Sequence, residues 1–237
     1  MNDTLVQAAA LIMPLVLAIV FHEVAHGRVA RHFGDPTALE RGRLTLNPLR
    51  HVDPIGTIVL PGMLALAHLP VFGWARPVPV DARRLDNPRR DMMLVAAAGP
   101  ATNLALALVG AVLLGLLARP FAGAGVGEGE AGGLVGFLAL NLINFVMINV
   151  FLALFNLLPI PPFDGSHIVE GLLPLRLARG YAKVRRLGFA LVLVVLIVLP
   201  TLVRGFDPIG WLVRPPVEWL TGHYFALADA IAGGSGQ

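Results

Sequence analysis

The sequence predicts an all-α polytopic membrane protein of about four to six transmembrane helices, with a re-entrant or extended segment after the first core helix. Three observations point there. Of 237 residues, 56% are hydrophobic and only 14% charged, whereas a soluble domain carries about 25% charged residues. Several apolar runs approach the ~20 residues that cross a bilayer. The basic residues sit in short loops beside those runs, the pattern that orients membrane proteins. One integral membrane domain over residues 1–237 is expected, with its core at about 5–203. Residues 204–237 form an interfacial segment or a final span.

Residues 5–33 read as the first helix, apolar through Phe21 and then increasingly polar. No positive charge precedes it, and the run continues into ionisable residues, so a cleaved leader is not expected. Residues 28–53 carry five Arg and residues 76–90 five more. Between them lies the apolar stretch 55–72, interrupted by Gly56, Pro61, Gly62 and Pro70. If it spanned, one basic loop would lie on the wrong side, so a re-entrant path is favoured, with its irregular backbone held in protein. Prolines at 77 and 79 disfavour helix, and 76–81 reads as extended chain. Residues 92–118, 134–158 and 187–203 read as spans. A glycine-rich connection, 119–133, faces outward, and the five basic residues of 174–186 face the cytoplasm. The stretch 211–231 is ambiguous, since Trp211, Trp219 and Tyr224 suit an interface.

A formal charge of +3 and a pI near 10.2 raise nucleic-acid binding. Loop placement and the lack of a recognition motif argue against it. With no cysteine, disulfides, thiolate metal sites and Cys nucleophiles are excluded. A transition-metal site must use His and carboxylate.

The sharpest local signal is His22-Glu23-Val24-Ala25-His26. Residues four apart on a helix stand one turn apart on nearly the same side. Two imidazoles can thus share a zinc while Glu23, in the same sector, reaches a water on the metal as general base. Three ionisable residues within five, at the end of an apolar helix, are hard to keep without a shared ligand. Catalytic zinc usually takes three protein ligands. The best-placed third is Asp164, after the proline-rich turn that follows Asn156. It reads equally as the N-cap of a short helix at 166–173, and spacing does not choose between the two.

The chain resembles the site-2 protease family of intramembrane zinc metalloproteases, in its short prokaryotic branch without PDZ or CBS domains. The resemblance covers about residues 14–175. It rests first on His22-Glu23-Val24-Ala25-His26 and on the run from Asn156 through Pro159, Pro161 and Pro162 to Asp164-Gly165. Asn47-Pro48, His51 through Thr57, Gly73 through Val80 and Ala98-Gly99-Pro100 with Thr102-Asn103 add to it. It implies one zinc per chain held by His22, His26 and Asp164, with Glu23 as catalytic base and zinc-activated water as nucleophile. It implies substrates that are single-span membrane proteins, cut inside the span, nearer the cytoplasmic face of a prokaryotic inner membrane. Asn156 becomes a candidate for binding the substrate backbone or polarising its carbonyl, or else an amide that satisfies broken-helix carbonyls. Asn103 either lines the substrate path or makes an interhelical hydrogen bond. Substrate recognition is expected from the membrane core, from residues 36–90, or from a separate membrane partner.

His51 and Asp53 read as loop-ordering residues with a lesser claim to the third-ligand role. His167 reads as an ordinary polar residue or a support for the site. His32, His68 and His223 read as loop or interfacial residues. A zinc transporter is the main rival reading, and a non-catalytic scaffold the weaker one. The spans 92–118, 134–158 and 187–203 carry no acidic residue beyond their basic flank and no His, so a chain of transport sites is not visible.

Overall fold

Helices that meet lipid bury small residues against one another and turn large apolar ones outward. The computed structural model shows this inversion. It describes residues 2–59, 62–63, 66, 74–121, 133–185, 188, 192, 194–203 and 205–233. Ala10, Ala18, Ala107, Ala111, Ala153, Val146 and Val150 are buried, while Leu11, Ile12, Met13, Leu108, Val109, Leu113 and Met147 are exposed. In a soluble protein those exposed side chains would form the core.

The helices are α1 (Asn2–His32), α2 (Thr37–Glu40), α3 (Pro88–Ala118), α4 (Leu134–Asn156), α5 (Asp164–Leu172), α6 (Leu175–Arg185), α7 (Leu199–Leu202), α8 (Pro208–Leu212) and α9 (Arg214–Ala232). Three are long and apolar enough to cross a membrane, over Val6–His32, Pro88–Ala118 and Leu134–Asn156. They pack on one another as a bundle, with α9 against α3 and α4. No strand occurs among the described residues. Pro14 and Pro100 lie inside α1 and α3, as tolerated in membrane helices.

Small residues set the closest helix approaches. A Cβ at Gly115 would lie 2.5 Å from the Ala228 carbonyl of α9. Val217, Leu220, Tyr224 and Phe225 cover the cluster of Ala107, Ala111, Val146 and Val150, and the Tyr224 hydroxyl donates to Leu104 O at 3.1 Å. The stretch left ambiguous by sequence is therefore helical and seated on the bundle, with Trp211 and Trp219 exposed.

The basic segments gather at one end. Asp86 N–H donates to Phe33 O at 3.0 Å, and the Arg89 guanidinium donates to the carbonyls of Glu170 and Leu173. The C-terminus of α1, the N-terminus of α3 and the α5 region thus share an end. Residues 74–81 form neither helix nor strand, and Asp81 at their end has extended backbone angles. Pro54–Val59 forms one wide π-type turn. Of the stretch 55–72 beyond Val59, only residues 62–63 and 66 are described, and of the span expected at 187–203, residues 187, 189–191 and 193 lie outside the described residues; within the latter, Val194–Val198 and α7 are helical.

Candidate metal centre

Helical periodicity turns His22 and His26 of α1 to one side, where α3 crosses. Gly99 makes that crossing compatible with two imidazoles. A Cβ there would lie 2.5 Å from His26 Nε2 and 2.6 Å from His22 Nε2, which no real side chain tolerates. The third arm comes from the end of α4. Prolines at 159, 161 and 162 cannot continue a helix, so the chain turns and restarts at Asp164. A Cβ at Gly165 would run into the Leu157 and Leu158 carbonyls, so this turn needs glycine. Phe163, not Asp164, occupies the N-cap position, and Asp164 is the first helical residue of α5. The N-cap alternative therefore fails, and its carboxylate faces α1.

Asp164 Oδ2 lies 3.1 Å from His22 Nε2 and 3.4 Å from His26 Nε2. One ligand atom from each residue can be chosen so that all lie within 4.8 Å of one another. The rings meet edge to face, with centroids 4.6 Å apart, and both histidines are at most 9% exposed. Each ring is held from behind: His22 Nδ1 lies 2.5 Å from Asn103 Oδ1, and His26 Nδ1 lies 2.7 Å from Val95 O.

These contacts test whether the residues fit a metal. Asn103 Oδ1 and Val95 O only accept, so each neutral ring carries its proton on Nδ1. Both Nε2 lone pairs then point at a carboxylate oxygen. Asp164 Oδ2 is buried and has no hydrogen-bond donor. Three lone-pair donors converging without a proton between them call for a cation. Two imidazoles and one carboxylate suit zinc.

A pH dependence follows. Burial alone would push the Asp164 carboxyl up; imidazoles protonated on Nε2, as in the metal-free site in acid, outweigh it and hold the carboxyl at about 2. Asp164 thus stays ionised through the mildly acid range, while protons compete with the metal for Nε2. Zinc affinity measured by competition with a chelator should fall as pH is lowered, approaching about two protons per zinc. A pH-independent affinity would mean that the imidazoles are not ligands.

Glu23 Oε2 accepts the Val78 N–H at 2.7 Å, which ties it to the 74–81 segment. Asn156 is half-buried, and its amide donates to Leu152 O at 2.9 Å, the helix-satisfying alternative. Its Oδ1 has no partner among the described residues. Asn103 differs from the expectation that it lines a substrate path. It is 0% exposed, and its Nδ2 donates to Ala18 O and Asn149 Oδ1, so it makes the interhelical contact. His51 orders its loop through Nε2 to Thr45 O at 2.9 Å, and Asp53 accepts from the N–H groups of Ile55 and Gly56. His167 lies half-buried on α5. His223 bonds Trp219 O. His68 lies outside the described residues.

Three contributors escaped the sequence reading. Gly99 was legible in principle, since an interior helical glycine costs about 1 kcal/mol relative to alanine and so asks for a reason. Nothing in sequence marks the Val95 carbonyl. Asn149 is one of several asparagines on α4.

The sequence profile of peptidase family M50 matches residues 132–199, which include Asp164 but not His22–His26. The chain is 41% identical over 190 residues to YwhC of Bacillus subtilis, covering 80% of each protein. It is 33% identical over 192 residues to Rip2 of Mycolicibacterium smegmatis, covering 81% of this chain and 67% of that one. Rip2 of Mycobacterium tuberculosis is 34% identical over 201 residues, covering 83% and 70%. All three are provisionally named zinc metalloproteases. No solved structure matches the chain. Fold and centre together define an integral membrane metallopeptidase. The chain belongs to peptidase family M50.

Proposed function

We propose that this protein is a zinc-dependent intramembrane endopeptidase that cuts the transmembrane segments of single-span membrane proteins. The observation that carries the reading is the convergence of His22, His26 and Asp164 between lipid-facing helices, with Glu23 beside His22. Among the described residues this is the one such His and carboxylate group, which suits a hydrolytic centre better than a transport path.

When bound, zinc supplies an electrophile for the scissile carbonyl and acidifies water. Glu23 is the base. The Val78 amide holds its Oε2, and the other oxygen is left to take the water's proton and pass it to the leaving amine. With its amide donating to Leu152 O, Asn156 has its Oδ1 left to accept from the substrate backbone. Substrates enter from the bilayer, and the cut falls nearer the end where the basic segments gather, the cytoplasmic one by the charge rule.

A transmembrane substrate must unwind before a carbonyl is free. Residues 74–81 suit the task of receiving the opened chain. The segment is fixed to the region that follows α1: Arg76 N–H donates to His51 O at 2.8 Å, Arg43 donates to Arg76 O at 2.6 Å, and Asp81 N–H donates to Asp35 at 2.7 Å. Pro77 and Pro79 have no N–H, so this stretch chiefly accepts, and freed substrate N–H groups would donate to it. Replacing Arg43 by Met, or Pro77 by Ala, should slow cleavage about tenfold, by loosening the segment, with zinc content unchanged. Loss of zinc in either variant would show that the segment holds the metal site rather than the substrate.

The reading is tested with purified protein in detergent, offered a single-span protein and an unfolded soluble protein. Products are sized by mass spectrometry. Cleavage within the span, abolished by chelation, is expected. Cleavage only of the soluble chain would overturn the intramembrane part of the reading.

A further inference from the structure

We propose that Asn149, on α4 and one residue removed from the metal centre, is a positioning residue that holds the proton of His22 on Nδ1. The proposal rests on reading His22 as a metal ligand, and it follows from which atoms can donate. Backbone carbonyls only accept. Asn149 Nδ2 lies 2.8 Å from Phe145 O, so the NH2 side of this amide faces its own helix and Oδ1 faces α3. Asn149 Oδ1 lies 2.7 Å from Asn103 Nδ2, which also reaches Ala18 O at 3.2 Å. The NH2 of Asn103 is therefore committed to two acceptors, and its Oδ1 is left facing His22 Nδ1 at 2.5 Å. An acceptor there requires a proton on Nδ1, which leaves the Nε2 lone pair for the metal.

The direction of this chain is set at its far ends by two carbonyls, on α4 and on α1. Reversing the Asn103 amide would set its oxygen against Ala18 O and Asn149 Oδ1 and put an N–H against His22 Nδ1. The ring would then carry its proton on Nε2, where the metal binds. Asn103 and Asn149 are both 0% exposed, so no bulk water is at hand to relieve a reversed arrangement. Asn144 provides the contrast: it too makes an interhelical contact from α4, donating to Ala10 O of α1 at 2.9 Å, but has no link to His22. Interhelical hydrogen bonding alone would give Asn144 and Asn149 equivalent roles; the polarity of the chain does not.

The test reads the tautomer and the metal, not cleavage. Metal-free protein labelled with 15N-histidine is examined in micelles at alkaline pH by long-range 1H–15N correlation, with a His22→Gln sample for assignment. Zinc release from loaded protein to a chelator is timed in parallel. Wild type should show His22 protonated on Nδ1. Asn149→Leu should give mixed tautomers and release zinc about tenfold faster, and Asn103→Leu up to about 100-fold faster. Asn149→Asp should restore wild-type values, because a buried neutral carboxyl can donate to Phe145 O and accept from Asn103. Asn144→Leu should match wild type in both readouts. Asn149→Ser, too short to reach Asn103, is the second truncation should the leucine variant not fold. A proton on Nε2 in wild type overturns the proposal, as does wild-type behaviour in both truncations or an equal effect from Asn144→Leu. A protein that keeps the expected tautomer but cuts no substrate would count against the protease reading alone.

Discussion

Glu23→Gln should lower cleavage by about 10²–10⁴-fold, the usual contribution of a positioned base, while one zinc per chain is retained. The substitution keeps the side chain's shape. The Gln oxygen can still accept the Val78 N–H, as Glu23 Oε2 does at 2.7 Å. The atom exchanged is then the one facing the water: an amide NH2 donates where a carboxylate would accept a proton. Glu23 is not among the grouped metal-ligating residues, so metal content should not change. Initial rates beside zinc determination check both halves. A variant that keeps activity to within a few-fold would remove Glu23 from the chemistry, and one that loses zinc would place it among the ligands.

The second large effect is expected from a residue with no side chain. Gly99→Ala should weaken zinc binding by about 100-fold or more, the upper range seen when a ligand's support is lost, and activity should fall with it. The added methyl would sit 2.5–2.6 Å from the Nε2 atoms of both histidines, where the metal is held. Either α3 moves away from α1 or the rings rotate off their Asn103 and Val95 partners. Gly110→Ala is the matched control on the same helix. Its Cβ would meet Phe145 and Val146 side chains at 3.0 Å, a contact that small side-chain shifts relieve, so its zinc affinity should stay near wild type. Equal zinc affinity in Gly99→Ala and wild type would mean that the metal is not where the imidazoles converge.

How much of this was legible in sequence varies with the physics behind each residue. His22, Glu23 and His26 were legible because helical periodicity alone places them together. The membrane class was legible because composition and basic loops reflect the solvent around the chain. Asp164 was legible only as one of two readings. Deciding between ligand and cap needed the turn through Pro159, Pro161 and Pro162, which starts α5 one residue earlier than a capping role requires. Asn103 was noticed but its partner was not, because an amide's choice among buried acceptors depends on which helices cross near it. Gly99 lies within Ala98-Gly99-Pro100, and its importance is the absence of an atom at a crossing that sequence does not describe. The Glu23 contact with Val78 links residues 55 apart through an irregular segment, and no periodicity reports such a contact.

The most direct test of the central claim is a zinc titration of metal-free protein against a single-span substrate, with the cut site mapped by mass spectrometry. Cleavage inside the span should rise linearly with zinc, level off at one equivalent, and be absent at every zinc level in Asp164→Ala. Full cleavage without zinc, or unchanged titration in Asp164→Ala, would contradict the assignment of His22, His26 and Asp164 as the catalytic metal centre.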